Sequence, residues 1–545
     1  MNIEKIYIEN YKVFKGKFEI ELNPEINILV GNNEAGKSTI LEAIHLALTG
    51  LLNGRYLRNE LSQYLFNNEV EKEYLDSLND SDKTALEPPH ILIEVYFNTD
   101  ECPLFEGNGN SDRTKACGLS LKIEFDTNYQ PEYDELVNGE GEKVQSIPIE
   151  YYKVTWRSFA RDSITSRSIP MRSALIDTSG HKYRNGSDIY ISRIIRNELE
   201  DKEKVAVSQA YRKLKDQFAQ DDSIKAVNDK VNTVASLSDS KKVSVSVDLA
   251  TRDAWEAGLT TFLDLVPFQN IGKGEQAIVK TKLALGAKES QKAGVILIEE
   301  PENHLSHTKM NDFIKSISEN CENKQILIST HSSFVANKLG LDHLILLDNQ
   351  ETARLSDLPS DTQDFFRKLP GYQTLRILLC KKAILVEGDS DELIVQKAYM
   401  DKHDGRLPIE DEIDVISVNL TFKRFLQIAE LLNKTVAVVT DNDKDYENNI
   451  TKKYKDFEEV DTIEIFADTN ERLPTLEPQF VEANKDQLER LCRVIGIDFE
   501  DDSTEDDISE YMQKNKTKWA LKVFNSDETL NYPDYIDRVI TWCDE

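Results

Sequence analysis

The chain lacks any apolar run long enough to cross a bilayer, and Met1-Asn2-Ile3-Glu4-Lys5 leads directly into a strand pattern. Neither a membrane span nor a signal peptide is expected, and the reading is cytoplasmic with no membrane partner. Its six cysteines (Cys102, Cys117, Cys321, Cys380, Cys492, Cys543) form no Cys-x-x-Cys pair, which argues against a zinc ribbon or a disulfide framework and for reduced thiols. Basic residues are also short, 66 against 98 acids, for a net charge of −32. That field repels phosphate, so a passive nucleic-acid coat is excluded and contact must use local basic patches or metal ions. Sustained heptads are missing too, which excludes a long coiled-coil arm. The 545 residues imply about three domains, or two large ones.

What is present centres on Gly31-Asn32-Asn33-Glu34-Ala35-Gly36-Lys37-Ser38-Thr39, between the apolar run Ile26 to Val30 and the helical pattern Ile40, Leu41, Ala43, Ile44. A strand, glycine loop and helix in this order form a P-loop, whose backbone N–H groups surround phosphates while Lys37 reaches the β/γ oxygens and Ser38 reaches Mg²⁺. Alternation at Ile3, Ile6, Ile8 and at Phe18, Ile20, Leu22 predicts a hairpin before it. The P-loop helix is expected to end near Gly50, and Ile91 to Phe97 reads as a strand. The stretches on either side of that strand, to about Gln145, read as irregular surface insertions.

From Asp188 to Leu237 the pattern turns helical and predicts a compact insertion that packs in a core or against a second subunit. Gly272-Lys273-Gly274-Glu275-Gln276 precedes a helical run and suits a second phosphate-facing loop, with an ordinary capped loop as the alternative. Val295 to Ile298 reads as a buried strand ending in Glu299-Glu300-Pro301-Glu302, a Walker B pattern. Glu299 is expected near Mg²⁺, and Glu300 as the residue that orients or deprotonates the attacking water. Another strand, Ile326 to Ser329, ends at Thr330-His331, placing His331 on the γ-phosphate side. The wide separation of Lys37 from Glu299 excludes a small GTPase.

These elements together resemble the ABC-type ATPase heads of the RecF and SMC group. The resemblance implies that two heads sandwich ATP, with Gly272, Lys273 and Gly274 of one facing the P-loop nucleotide of the other. Two departures are Glu-Glu where the group usually has Asp-Glu, and Ile-Gly-Lys-Gly-Glu-Gln in place of Leu-Ser-Gly-Gly-Gln.

After Leu347 the sequence reads as a polar linker, then as a strand, Ala383 to Val386, ending at Glu387-Gly388-Asp389-Ser390-Asp391-Glu392. A further buried strand, Val436 to Thr440, ends at Asp441-Asn442-Asp443. Two strand tips carrying Glu387, Asp391, Asp441 and Asp443 make one or two Mg²⁺ sites of the kind used for in-line attack on phosphodiesters. The pairing resembles the Toprim domain, and an ABC-type head joined to a C-terminal Toprim domain resembles the OLD (overcoming lysogenisation defect) family. That resemblance adds Glu477 as a metal carboxylate and Lys516 as a stabiliser of the phosphoryl transition state, and it expects glycine where Asn419 stands. The run Asp498 to Asp507 reads as a solvated acidic loop.

The fold expected is α/β, with an ABC-type head over 1–375, a helical and possibly dimerising insertion at about 165–255, and a Toprim domain over 376–545. The function implied is an ATP-regulated endonuclease dependent on Mg²⁺ or Mn²⁺, acting on double-stranded DNA, with RNA not excluded. The family further implies a homodimer or higher homo-oligomer, a role in anti-phage defence similar to the Gabija and retron-associated nucleases, and a partner protein or nucleic acid from the same system. Two alternatives stay open: an ATP-dependent repair factor, and an ATP-gated scaffold whose Toprim site is silent or acts on RNA.

Overall fold

The structure is a computed structural model describing residues 1–79, 85–98, 102–138, 144–177, 183–184, 187–188, 191, 194, 198–235, 243–245, 260–286, 293–303, 305–320, 324–348, 350–369, 374–498 and 504–544. Ile189, Ile195, Leu237, Cys321 and the junction residues Pro370, Gly371 and Tyr372 lie outside these. The chain divides into two compact units, Met1–Ile28 with Gly36–Thr330, and Leu29–Ala35 with His331–Glu545. Among the described residues no helix is long and apolar enough to cross a membrane.

In the first unit the strands Asn2–Glu9 and Lys17–Glu21 form the expected antiparallel hairpin. The strand Ile91–Asn98 joins Asn2–Glu9, and Ala116–Phe125 and Tyr152–Ser158 continue the sheet. The stretch expected to be an irregular insertion therefore contains a sheet strand, with Leu119, Leu121 and Ile123 buried. Their alternation with Ser120, Lys122 and Glu124 is the period-two signal, obscured by the polar segments around it. The earlier stretch is also ordered in part, as the helix Asn68–Asn79.

Three parallel strands, Ser173–Asp177, Val295–Glu299 and Gln325–Ser329, run in register, pairing Asp177 with Glu299 and Glu299 with Ser329. Burial on both faces explains their near-continuous apolar sequence. Ile326 N–H donates to Glu25 O at 2.7 Å, at the entry to the P-loop strand Ile26–Gly31. Among the described residues the helical insertion includes the helices Asp201–Gln220 and Asp222–Ala235, with Val205, Leu214, Phe218 and Val227 exposed.

In the second unit the predicted polar linker is instead a hairpin, Leu344–Asp348 with Glu351–Arg354, followed by the helix Ser360–Lys368. Beyond it lies a four-stranded parallel sheet in the order Ile413–Ser417, Lys382–Val386, Thr435–Val439, Ile463–Phe466. Helices cover its apolar faces, with Ile394, Val395, Phe480, Trp519, Ile536 and Ile540 in its core. Of the acidic run expected to be a loop, residues 499–503 lie outside the described residues, whereas Glu505, Asp506 and Asp507 open a helix capped by Thr504 accepting from Asp507 N–H, where the helix dipole favours acids. Asn419 has φ 51°, a left-handed conformation that explains the expected glycine and is one asparagine tolerates.

The short helix Thr374–Leu379 is anchored by two side chains of its first turn. Thr374 Oγ1 donates to Asn337 Oδ1 at 2.7 Å, and Arg376 grips Asp414 through two hydrogen bonds of 2.9 and 2.6 Å. Asp414 is 8% exposed, so removing Arg376 would leave a carboxylate with little water to replace its partner. Arg376→Ala is expected to cost about 2–3 kcal/mol, discounted because Arg376 is itself partly solvated. Thermal unfolding of the full chain measures it, and a loss below about 0.5 kcal/mol would show that the pair is only a surface bridge.

Candidate nucleotide and metal sites

The P-loop geometry follows from two glycines. A Cβ on Gly31 would lie 2.5 Å from the Leu347 carbonyl oxygen, and one on Gly36 would lie 2.4 Å from the Phe14 ring, at a φ of 98°. Neither position admits a side chain, because backbone or packed aromatic carbon fills the space. Between them Asn32, Asn33 and Glu34 are exposed, Ala35 is half-buried, and Ala35 N–H returns to Asn32 O. The helix Lys37–Thr49 starts without a side-chain cap at Gly36, so its first N–H groups and dipole are left to an anion. It ends where predicted, at Gly50 in a left-handed cap with N–H on Leu46 O. Ser38 is exposed, whereas Lys37 and Thr39 are buried.

Burial lowers the Lys37 pKa, opposed by the charges of Glu300 and Glu302. These acids belong to the turn after Val295–Glu299, where Glu300 takes a left-handed φ of 40°. Its N–H donates to Ser329 O at 3.0 Å, and Asn303 Nδ2 donates to its Oε2 at 2.6 Å. Glu302 accepts from Thr330 Oγ1 at 2.7 Å. Glu302, Asn303 and Thr330 were not singled out from sequence, although the first stands in the Glu-Glu-Pro-Glu run and the last in Ser-Thr-His. Glu299, half-buried at the strand end, and exposed His331 are at the tips of their respective strands.

The loop carrying Gly272, Lys273 and Gly274 opens the helix Lys273–Gly286. Buried Gln276 fixes it by donating to Phe268 O and Ile271 O, both at 3.0 Å, while Gly272 and Lys273 are exposed.

In the parallel sheet of the second unit, Val386 and Val439 are paired, so the next residues meet at the carboxyl edge. Thr440 Oγ1 donates to Glu387 Oε1 at 2.7 Å, and Asp441 N–H reaches the same oxygen at 3.3 Å. Asp391, in the first turn of Asp389–Lys402, accepts from Gly388 N–H at 3.2 Å. Glu477 is 3% exposed at the start of Leu476–Ala483 and accepts from Thr475 Oγ1 at 2.9 Å. Exposed Lys516 stands 3.9 Å from Glu477. Asp443 is exposed at the rim.

Burial pushes the Asp391 carboxyl up to about 7, helped by Glu387 and then Glu477. Burial pushes Asp441 further, to about 9, with Asp391, Glu387, Glu477 and Asp443 adding repulsion in that order. Among the described residues no three His, Cys, Asp or Glu side chains are closed on one point as they stand. The donor set nevertheless suits a divalent cation, which prefers carboxylate oxygen and whose charge would offset both the burial and the repulsion that raise these pKa values. Glu387, Asp391, Asp441 and Glu477 would hold it, and it would supply charge for a phosphodiester oxygen and its nucleophile.

Residues 2–354 match the family described as RecF/RecN/SMC N terminal domain, and residues 378–443 match the overcoming lysogenization defect protein-like TOPRIM domain. The first match spans most of the chain, which therefore belongs to the RecF/RecN/SMC family of ATPase heads. With the second domain it is, more particularly, an OLD-family ATPase–Toprim protein. Among solved structures, the SMC head domain from Thermotoga maritima is 13% identical over 65% of this chain and 98% of that one, with a TM-score of 0.30. The recombination mediator RecF with ATP is 12% identical over 65% and 99%, with a TM-score of 0.32. An Smc head with an extended coiled coil bound to a ScpA domain, from Pyrococcus furiosus, is 13% identical over 68% and 99%, with a TM-score of 0.34. No curated protein matches the chain.

Raised carboxylate pKa values carry a sign. In the unfolded chain Asp391 and Asp441 ionise near 4, whereas in the fold they hold protons to about 7 and 9. Their contribution to stability is therefore intact below pH 4 and lost as pH rises through those values. Without metal, Asp441→Asn is expected to raise the melting temperature by a few degrees at pH 8 and by little at pH 4. Calorimetry in chelator measures this, and an equal shift at both pH values would refute the repulsion account.

Proposed function

We propose that the chain is an ATP-regulated, divalent-metal-dependent endonuclease that cuts DNA, and that it serves as an effector of anti-phage defence. The observation that carries the nuclease reading is the gathering of Glu387, Asp391, Asp441 and Glu477 at one edge of a parallel sheet, with Lys516 beside Glu477. Held by those carboxylates, Mg²⁺ or Mn²⁺ would supply an activated water for in-line attack, and Lys516 would offset charge on the phosphoryl oxygens. Glu387 and Asp441 carry the metal chemistry, and Asp443 completes the rim. The membership of the Toprim segment in the OLD-like group supports the defence role.

In the head, Gly31 to Thr39 hold the triphosphate, Ser38 and Glu299 hold its metal, and Glu300 orients the attacking water with His331 at the γ-phosphate. Exposure of Gly272 and Lys273 at a helix start supports a homodimer in which each loop faces the partner's nucleotide. The head and nuclease domains divide at about 375, and the helices Asp201–Gln220 and Asp222–Ala235 supply further dimer contact through their exposed apolar residues.

Plasmid DNA and RNA incubated with Mg²⁺ or Mn²⁺, with and without ATP, test the assignment. Glu387→Ala is expected to reduce DNA cutting at least about 100-fold, whereas Lys37→Ala alters only the response to ATP. Failure to cut either nucleic acid, with Lys37-dependent ATPase intact, would sink the nuclease reading in favour of a scaffold, and cutting of RNA alone would change the substrate.

A Cβ on Gly272 would meet nothing within 4 Å, so Gly272→Asp should leave the melting temperature of the single chain within about 1 °C. Its carboxylate would repel a facing triphosphate, and light scattering should show the ATP-dependent dimer weakened about tenfold or more. Unchanged dimerisation would remove this loop from the interface.

A further inference from the structure

Asn442, between the two aspartates, points away from the carboxylates and is fully buried. Its Nδ2 lies 2.9 Å from Asp468 O, 3.1 Å from Asn470 O and 3.2 Å from Leu473 O. Two amide hydrogens thus serve three carbonyl oxygens of one loop. Its Oδ1 accepts from Lys444 N–H at 2.9 Å, and its backbone oxygen accepts from Asn449 Nδ2 at 3.1 Å. Asp443 and Lys444 both take left-handed backbone conformations, φ 47° and 67°, and Asp443 N–H donates to Pro474 O at 3.1 Å. This strained turn is held by the loop it holds.

The loop is the one that delivers Glu477. After Pro474 comes Thr475, whose hydroxyl orients the Glu477 carboxylate, and Gln479 ties back to Leu473 O at 2.9 Å. Asn442 therefore connects the Asp441 strand tip to the separate element that carries Glu477, by hydrogen bonds to backbone alone. An aspartate here would set carboxylate oxygens against three carbonyls, and an alanine would take this donor from Asp468 O and Asn470 O and leave Leu473 O to Gln479 alone.

We propose that Asn442 is a positioning residue for divalent-cation binding, setting the separation of Glu477 from Asp441 so that both reach one ion. This rests on the metal-site reading above, and its test does not require cutting. Residues that orient metal ligands typically contribute 10–100-fold in metal affinity.

The experiment is Mn²⁺ binding to the full chain without nucleotide, by calorimetry and by the electron paramagnetic resonance signal of the bound ion. Sites lost in Asp441→Asn define the Toprim count. Asn442→Ala, and the milder Asn442→Ser, which keeps one donor, are compared in the wild-type and Glu477→Gln backgrounds, with melting in chelator as the control for folding. The expected result is a loss of affinity of about 10-fold or more in the wild-type background and less than about twofold once Glu477 is Gln. An equal loss in both backgrounds, or affinity within twofold of wild type in a folded variant, overturns the proposal. Failure of both variants to fold overturns it in favour of a purely structural clamp, and absence of Toprim-site Mn²⁺ in the wild type overturns it together with the metal site. Mn²⁺ bound through Glu477 in a protein that cuts nothing leaves the clamp standing and removes the nuclease reading alone.

Discussion

Repulsion among carboxylates at the end of a parallel sheet is the constraint on which the second unit is built. In-register pairing of Lys382–Val386 with Thr435–Val439 brings Glu387 beside Asp441, and helix starts add Asp391 and Glu477. Glu477 is buried and Glu387, Asp391 and Asp441 are half-buried, so these carboxylates are less screened than on an open surface. Such a cluster persists only because the strands and helices beneath it bury enough apolar surface to fix it. The core around Ile384, Val439, Phe480 and Trp519 does that. A hard cation turns the same repulsion into affinity.

Left-handed backbone conformations, which occur in turns along the chain, also stand beside the sites. Glu300, Asp443 and Lys444 all carry positive φ without being glycine. Each follows a strand that ends at a site: Glu300 N–H is pinned to Ser329 O and Asp443 N–H to Pro474 O, both on other elements, while Lys444 N–H bonds Asn442 Oδ1 within its own turn. The cross-links offset the cost of these sharp turns.

The sequence was most legible where local chemistry and periodicity agree. Lys37–Thr49 ends at Gly50 as expected, and the buried strands Val295–Glu299, Gln325–Ser329, Lys382–Val386 and Thr435–Val439 read directly as apolar runs with polar tips. Legibility failed where polarity masked a half-buried pattern. Ala116–Phe125 alternates cleanly, but Asn- and Glu-rich flanks hid it, and the stretch after Leu347 folds into a hairpin and helix. Within the sites, titratable groups were visible because strand tips advertise them. Their hydroxyl and amide supports, Thr440, Thr475, Asn303 and Asn442, were not, because only three-dimensional pairing distinguishes them from ordinary turn residues.

Net charge gives the sites a common logic. A chain at −32 repels a polyanion, and its acids stand where phosphates are expected: Glu300 and Glu302 near Lys37, and the carboxylate cluster at the sheet edge. On the proposed reading, a phosphodiester cannot approach the cluster until a cation has reversed its local sign. A metal held there would set access of the substrate as well as supply activated water, so that selectivity and chemistry would rest on the same carboxylates. Lys516, exposed beside Glu477, is too few charges to replace it. On that reading, nucleic-acid binding would need little basic surface, which reconciles the proposed substrate with a strongly acidic chain.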